Sequence, residues 1–168
     1  DNDGVRESRI LRLLDWVEHI KKLGADTVLF NPLFESDRHG YDTRDYFQLD
    51  CRLGTNEDFS RMCEEAHKRG MRVMLDGVFN HTGYVSRYFN GDGFYPEVGA
   101  SQSEDSPYRK WFNFTHWPDK YESWWGIYSL PAVDEQNQDY RSFIFDDENS
   151  VVRRWLRAGA DGWRLDVA

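Results

Sequence analysis

The sequence predicts an α/β fold built on a parallel sheet, and three observations carry that prediction. First, a short unit recurs in which basic residues and a glycine close a helix and an apolar strand follows. It reads Lys21-Lys22-Leu23-Gly24 before Thr27-Val28-Leu29-Phe30, His67-Lys68-Arg69-Gly70 before Arg72-Val73-Met74-Leu75, and Leu156-Arg157-Ala158-Gly159 before Trp163-Arg164-Leu165-Asp166-Val167. Cations near the last carbonyls and a glycine just beyond them are what a helix C-terminus favours. Second, the residues upstream of each unit carry helical periodicity. Third, helices that alternate with short apolar strands point to parallel pairing through right-handed crossovers.

The elements follow in order. Ile10, Leu13, Leu14, Val17 and Ile20 recur at helical spacing and mark the first helix. Thr55 is a candidate N-cap with Asp58 three residues on, ahead of Phe59, Met62, Cys63 and Ala66. Val151, Val152, Trp155 and Leu156 mark the third helix. The second and third units lie about twice as far apart as the first and second, so the extra length falls between the second strand and the third helix. The chain therefore divides into 1–81 (helix-strand-helix-strand), an inserted subdomain over 82–133, and 134–168 (helix and strand). In a parallel barrel an insertion after a strand lies at the C-terminal face, where sites are built. Polar residues close each strand at that same face: Asn31, then Asp76, Asn80 and His81, then Arg164 and Asp166.

Composition narrows the function. A net charge of −9 with no basic cluster speaks against a nucleic-acid partner. No apolar run reaches the ~20 residues that span a bilayer, and the acidic N-terminus is not a signal peptide, so no membrane partner is expected. The compartment expected is cytoplasmic, with secretion after removal of an upstream signal as the alternative. Seven Trp, nine Tyr and eleven Phe are many for 168 residues. Such rings stack on apolar faces of ligands and also fill ordinary cores. Cys51 and Cys63 form no framework, and Cys63 reads as a buried free thiol.

Four motifs in this order resemble one family. Asp76-Gly77-Val78-Phe79-Asn80-His81 and Gly162-Trp163-Arg164-Leu165-Asp166 match two signatures of the α-amylase family of retaining glycoside hydrolases. His39-Gly40-Tyr41-Asp42-Thr43, with Asp45-Tyr46, looks like its sugar-stacking loop, and Leu130-Pro131-Ala132-Val133-Asp134 like its short Leu-Pro motif. The resemblance implies a partial (β/α)8 TIM barrel of about three parallel strands, with the insertion after the second. It implies that Asp166 is the nucleophile, opposite a protonated acid ~5–5.5 Å away, and that Arg164 orients it. His81 would hydrogen-bond a sugar hydroxyl, Tyr41 would stack on the sugar, and Asp76 would support the site. Asn80 is a calcium ligand in many relatives, but Ala132 stands where those relatives place a further carboxylate, and no cofactor is required.

The residues taken singly keep other readings open. Arg164 and Asp166 also suit a buried structural pair, and His81 a satisfied core histidine. Asp76 with His81 superficially suggests a metal-dependent hydrolase, although metal sites usually recruit more ligands. Trp124, Trp125 and Tyr128 read either as a cleft wall or as the core of the insertion. Trp-Trp-Gly-Ile-Tyr-Ser-Leu-Pro, followed by Asp134-Glu135-Gln136-Asn137, looks most like the neopullulanase and cyclomaltodextrinase branch, which acts on α-1,4 and sometimes α-1,6 links. The expected partners are an α-glucan oligosaccharide and the remainder of the same barrel, with a homodimer of the full-length parent also compatible. Transglycosylases share these motifs, and a non-catalytic amylase-like domain of a transporter subunit is the rival from another class. The general acid and the transition-state stabiliser are expected outside this chain, so the segment alone should be inactive. As part of a barrel it should leave Val28, Phe30, Val73, Leu75 and Leu165 uncovered.

Overall fold

A computed structural model describes residues 5–167. A 3-10 turn, Arg9–Arg12, leads into α1 (Leu13–Lys22), followed by β1 (Thr27–Leu29), β2 (Phe34–Ser36), β3 (Thr43–Leu49), α2 (Asn56–Lys68) and β4 (Arg72–Gly77). After a long irregular stretch come β5 (Phe114–His116), β6 (Lys120–Tyr121), α3 (Gln138–Arg141), a π-helical turn (Ser142–Asp146), α4 (Val151–Arg157) and β7 (Gly162–Leu165).

The three predicted strands form one parallel sheet in the order β1-β4-β7. Val28 pairs with Val73, and Asp76 with Arg164. The fold is part of a (β/α)8 barrel, and the glycine-closed helix ends explain how each strand is launched. Gly24, Gly70 and Gly159 all take left-handed φ angles, of 84°, 73° and 118°. Their N–H groups donate to Lys21, His67 and Leu156 carbonyls, which turns the chain from helix to strand. At Gly159 a side chain is also excluded by packing, because a Cβ there would sit 2.7 Å from Cys63 Cβ.

The helix starts follow local chemistry too. Thr55 Oγ1 accepts from the Asp58 N–H at 3.1 Å, and Asp58 accepts from the Thr55 N–H at 3.1 Å, which closes the predicted capping box. The face of α2 so positioned buries Phe59, Met62, Cys63 and Ala66. Phe59 meets Trp155 of α4 edge-on at 5.0 Å, and Phe34 packs on the same indole. Each side chain buried in this way contributes roughly 1.5–3 kcal/mol.

One packing expectation is corrected. Val73 and Leu75 are fully buried, because β4 is the central strand and its apolar side chains join the core with Phe59, Met62 and Trp155. Val28 and Phe30 are half-covered. Leu165 is open as expected, at 54% exposure, and so is Leu29 at 51%. Both lie on the outer strands of the sheet.

Two structures were not anticipated. Between β1 and α2 the chain forms an antiparallel pair, β2–β3, with register irregularities beside Glu35. The helical stretch from Gln138 to Asp146 is the second. The stretch between β4 and α3 carries the β5–β6 hairpin and an aromatic cluster in which Phe89 meets Phe112, Phe114 and Tyr121. Tyr88 continues that cluster into the main core through Tyr46, Trp111 and Phe143. The stretch returns to β4 where His81 bridges Ala132 and the Val133 N–H donates to the Asn80 carbonyl. Among the described residues no helix is long and apolar enough to cross a membrane.

Candidate active site

Parallel pairing of β4 with β7 brings Asp76 beside Arg164, on the same face of adjacent strands. Arg164 Nη1 donates to both oxygens of Asp76, at 2.8 and 3.1 Å, and to Asp166 Oδ1 at 2.6 Å. Asp166 lies just past the end of β7, where its N–H still extends the ladder by donating to the Gly77 carbonyl at 3.0 Å. Asp76 is 4% exposed, so its carboxylate depends on Arg164 for charge compensation. The two bonds to Asp76, then the bond to Asp166, raise the affinity of the guanidinium for its proton.

Tyr41 closes the network from the loop between β2 and β3. Its hydroxyl donates to Asp76 Oδ2 at 3.3 Å. Burial first, and then the Asp76 carboxylate, pushes the phenol above its ordinary value, so it stays a donor. Gly40 before it adopts φ +94°, and a Cβ there would meet the Pro32 carbonyl oxygen at 3.0 Å. The turn that presents Tyr41 is thus open to glycine and strained for other residues.

His81 is 2% exposed, and its Nε2 lies 2.8 Å from the Tyr41 carbonyl oxygen. Burial lowers its pKa, outweighing the Tyr41 carbonyl, which favours the charged ring. The neutral ring must then carry its proton on Nε2, because a carbonyl only accepts. Nδ1 is left as a buried acceptor with no partner. In this arrangement His81 ties the Tyr41 loop to the end of β4.

Asp166, Tyr41, His81 and His39 line one cleft of about 470 Å³, together with Trp124 and Ile127. Trp124 leans on the His81 ring at 5.7 Å. The aromatic run with two open readings therefore divides. Trp124 walls the cleft, whereas Tyr128 packs on Tyr84 and Tyr121 of the aromatic cluster. A second cleft of about 440 Å³ beside β7 also reaches Asp166, lined mainly by Phe79, Ile144, Trp163 and Leu165. A larger concavity of about 850 Å³ lies between α2 and α4 and gathers mixed charges without any of these site residues.

The segment 78–81 is fastened from behind by residues not singled out beforehand as anchors. Tyr46, fully buried in β3, donates to the Val78 and His81 carbonyls at 2.9 and 3.1 Å. Tyr140 donates to the Phe79 carbonyl at 2.7 Å. Tyr46 belongs to the loop motif by sequence yet faces the core. Alternation along β3 does not announce this, since Thr43 and Asp45 are buried on the opposite face of the strand and Tyr46 is buried next to them.

Asn80 buries its Oδ1 without a hydrogen-bond partner, a feature that would suit a cation. Calcium takes about six to eight oxygen ligands, however, and Ala132 brings a methyl group to the neighbouring bridge. Among the described residues the one group of three metal-type side chains is Glu35, Asp50 and Cys51, away from Asn80. There Asp50 is engaged by Arg52 and Ser36, and Glu35 accepts from the Cys51 N–H.

Residues 12–168 match the family described as the catalytic domain of alpha amylase. The chain is 41% identical over 172 residues to an amylopullulanase from Thermoanaerobacterium thermosulfurigenes, covering 91% of this chain and 9% of that protein. It is 34% identical to neopullulanase 2 of Thermoactinomyces vulgaris, covering 93% of this chain and 26% of that protein. Among solved structures, the cyclic α-maltosyl-(1→6)-maltose hydrolase of Arthrobacter globiformis superposes with a TM-score of 0.82 at 33% identity, over 99% of this chain and 40% of that one. The chain thus spans about a tenth of the amylopullulanases it matches and well under half of the solved chain.

Proposed function

The chain belongs to the alpha-amylase catalytic-domain family, and from that premise we propose that the protein carrying it is a retaining glycosidase of α-glucans with Asp166 as its nucleophile. The observation that carries this reading is the placement of Asp166. It stands at the C-terminal end of β7, bonded to Arg164, in a cleft shared with Tyr41 and His81. Retaining hydrolysis needs one carboxylate to attack the anomeric carbon and a second carboxyl group to protonate the leaving oxygen. The Arg164 fork holds Asp166 in one orientation and Asp76 in another, so Asp166 is presented to the cleft while Asp76 buttresses the arginine from inside. Tyr41 offers a ring to the sugar that is cleaved, and His81 keeps that ring in place. Asn80 lines the second cleft, beside β7.

The names of the relatives make maltodextrins, cyclodextrins and pullulan the substrates to try, with α-1,4 links and in some cases α-1,6 links cleaved. Asp166→Asn keeps the shape and removes the nucleophile. In the full-length protein, turnover should fall by roughly four to six orders of magnitude while maltodextrin binding survives. Near-normal turnover in that variant, or a first-formed product with inverted anomeric configuration, would refute the assignment.

A further inference from the structure

Trp125 has no role in the reading above, and its conformation calls for one. Its backbone lies in the left-handed region at φ 52° and ψ 25°, a region that bulky residues rarely enter. The turn is held on both sides: Gly126 N–H donates to Ser123, Ile127 N–H to Trp124, and Trp124 N–H to Leu130. The strain does not serve packing, because the Trp125 side chain is 86% exposed. Its indole lies parallel to that of Trp124, with 5° between the planes and 4.9 Å between the centroids. One face is therefore backed by Trp124 and the other is open.

Trp125 adjoins the cleft through its neighbours without lining it. Trp124 lines the cavity that holds Asp166 and rests on His81, and Ile127, two residues beyond Trp125, lines it as well. A glycine would satisfy the backbone here without strain, so a tryptophan in its place is accounted for by its ring. Exposed apolar surface that adjoins a cleft marks a binding surface, and a flat, rigid indole fits the C–H face of a pyranose.

We propose that Trp125, backed by Trp124, is a stacking platform for a glucosyl ring further along the chain than the ring held by Tyr41, and that it sets a preference for longer α-glucans. This deepens the glycosidase reading and rests on it. The ledge lies one indole beyond the ring that leans on His81. Its effect should therefore grow with substrate length.

The experiment compares kcat/KM on maltotriose and maltoheptaose for the full-length protein, Trp125→Gly and Trp125→Phe. Glycine suits the left-handed backbone, so thermal stability should hold or rise in the first variant. The Gly variant should lose about three- to tenfold more on maltoheptaose than on maltotriose, mainly through KM, which is the scale of one lost ring contact. The Phe variant should recover most of that difference. Equal losses on both substrates, or no loss on maltoheptaose, would overturn the platform while leaving the glycosidase reading intact. A wild-type protein that cleaves no α-glucan would overturn both.

Discussion

Arg164 carries a doubled load, and removing it should show in stability before any assay of chemistry. In Arg164→Met the apolar stem is kept and the guanidinium is lost. Asp76, 4% exposed, keeps only the Tyr41 hydroxyl among the bonds described above, and Asp166 faces it without a cation between them. Breaking a fully buried pair costs about 3–5 kcal/mol, whereas an exposed pair is worth at most about 1 kcal/mol. Arg164 is 46% exposed at its side chain, so solvent will screen part of the loss and about 2 kcal/mol is expected. For a domain of this size that lowers Tm by roughly 4–8 °C. The decisive measurement is a double-mutant cycle with Asp76→Asn, read by thermal unfolding. Neutralising Asp76 removes the stranded charge, so the double variant should be more stable than the sum of the singles predicts, by about 1–2 kcal/mol. Additive losses would mean that Asp76 does not depend on Arg164, and the account of the site as one charge network would fail.

Two further perturbations test what supports that network. Tyr46→Phe strips one donor from two carbonyls, of Val78 and His81, and should cost about 1–2 kcal/mol. Hydrogen exchange at the Thr82 and Val133 amides should quicken, and unchanged protection there would show that Tyr46 does not hold the segment. Acid titration tests Asp161. Burial alone would raise its pKa, but the Val73 N–H at 2.8 Å and His67 at 2.7 Å outweigh burial and bring it below the ordinary 3.8. A lowered carboxylate contributes stability that is present above the unfolded pKa and lost as pH falls through the folded one. Asp161→Asn should therefore cost about 1 kcal/mol at neutral pH, shrinking toward zero below pH ~3.8, and a pH-independent difference would refute the assignment.

The sequence was most legible where a single local rule decides the outcome. Gly24, Gly70 and Gly159 could be read as left-handed caps because little else tolerates that conformation beside a cation-rich helix end. Thr55 and Asp58 specify a helix start by reciprocal hydrogen bonds four residues wide, a local pattern to which Ser8 adds one bond from fifty residues away. Tyr46 was read only with its loop because its partners, Val78 and His81, lie more than thirty residues away and the bonds run to backbone atoms. The β2–β3 pair escaped for a related reason. Its register is irregular, with Glu35 opposite Asp45 and Phe34 opposite Leu49, so alternation in one strand does not mirror the other. Trp124 and Tyr128 sit in one aromatic run, and composition cannot say which faces the cleft. A turn with Trp125 in the left-handed region decides that, and few sequences announce a tryptophan there.

The register of β7 against β4 joins the fold to the site. Side chains alternate along a strand, so a slip of one residue would set Trp163 opposite Asp76 and point Arg164 toward the helices. Three contacts along the pair oppose that slip. At the start, the Asp161 N–H donates to the Val73 carbonyl at 2.7 Å, and its carboxylate accepts from the Val73 N–H. In the middle, Trp163 lies opposite Leu75 and packs on Phe34 and Phe79. At the far end, Arg164 meets Asp76. The first two are ordinary burial and hydrogen bonding and hold whether or not the far end carries charge. They fix the register in advance, and the charged groups then need no reorganisation to meet. A site whose geometry is set by its scaffold in this way should tolerate Asp166→Asn without structural change, and should not tolerate an insertion between Asp161 and Arg164.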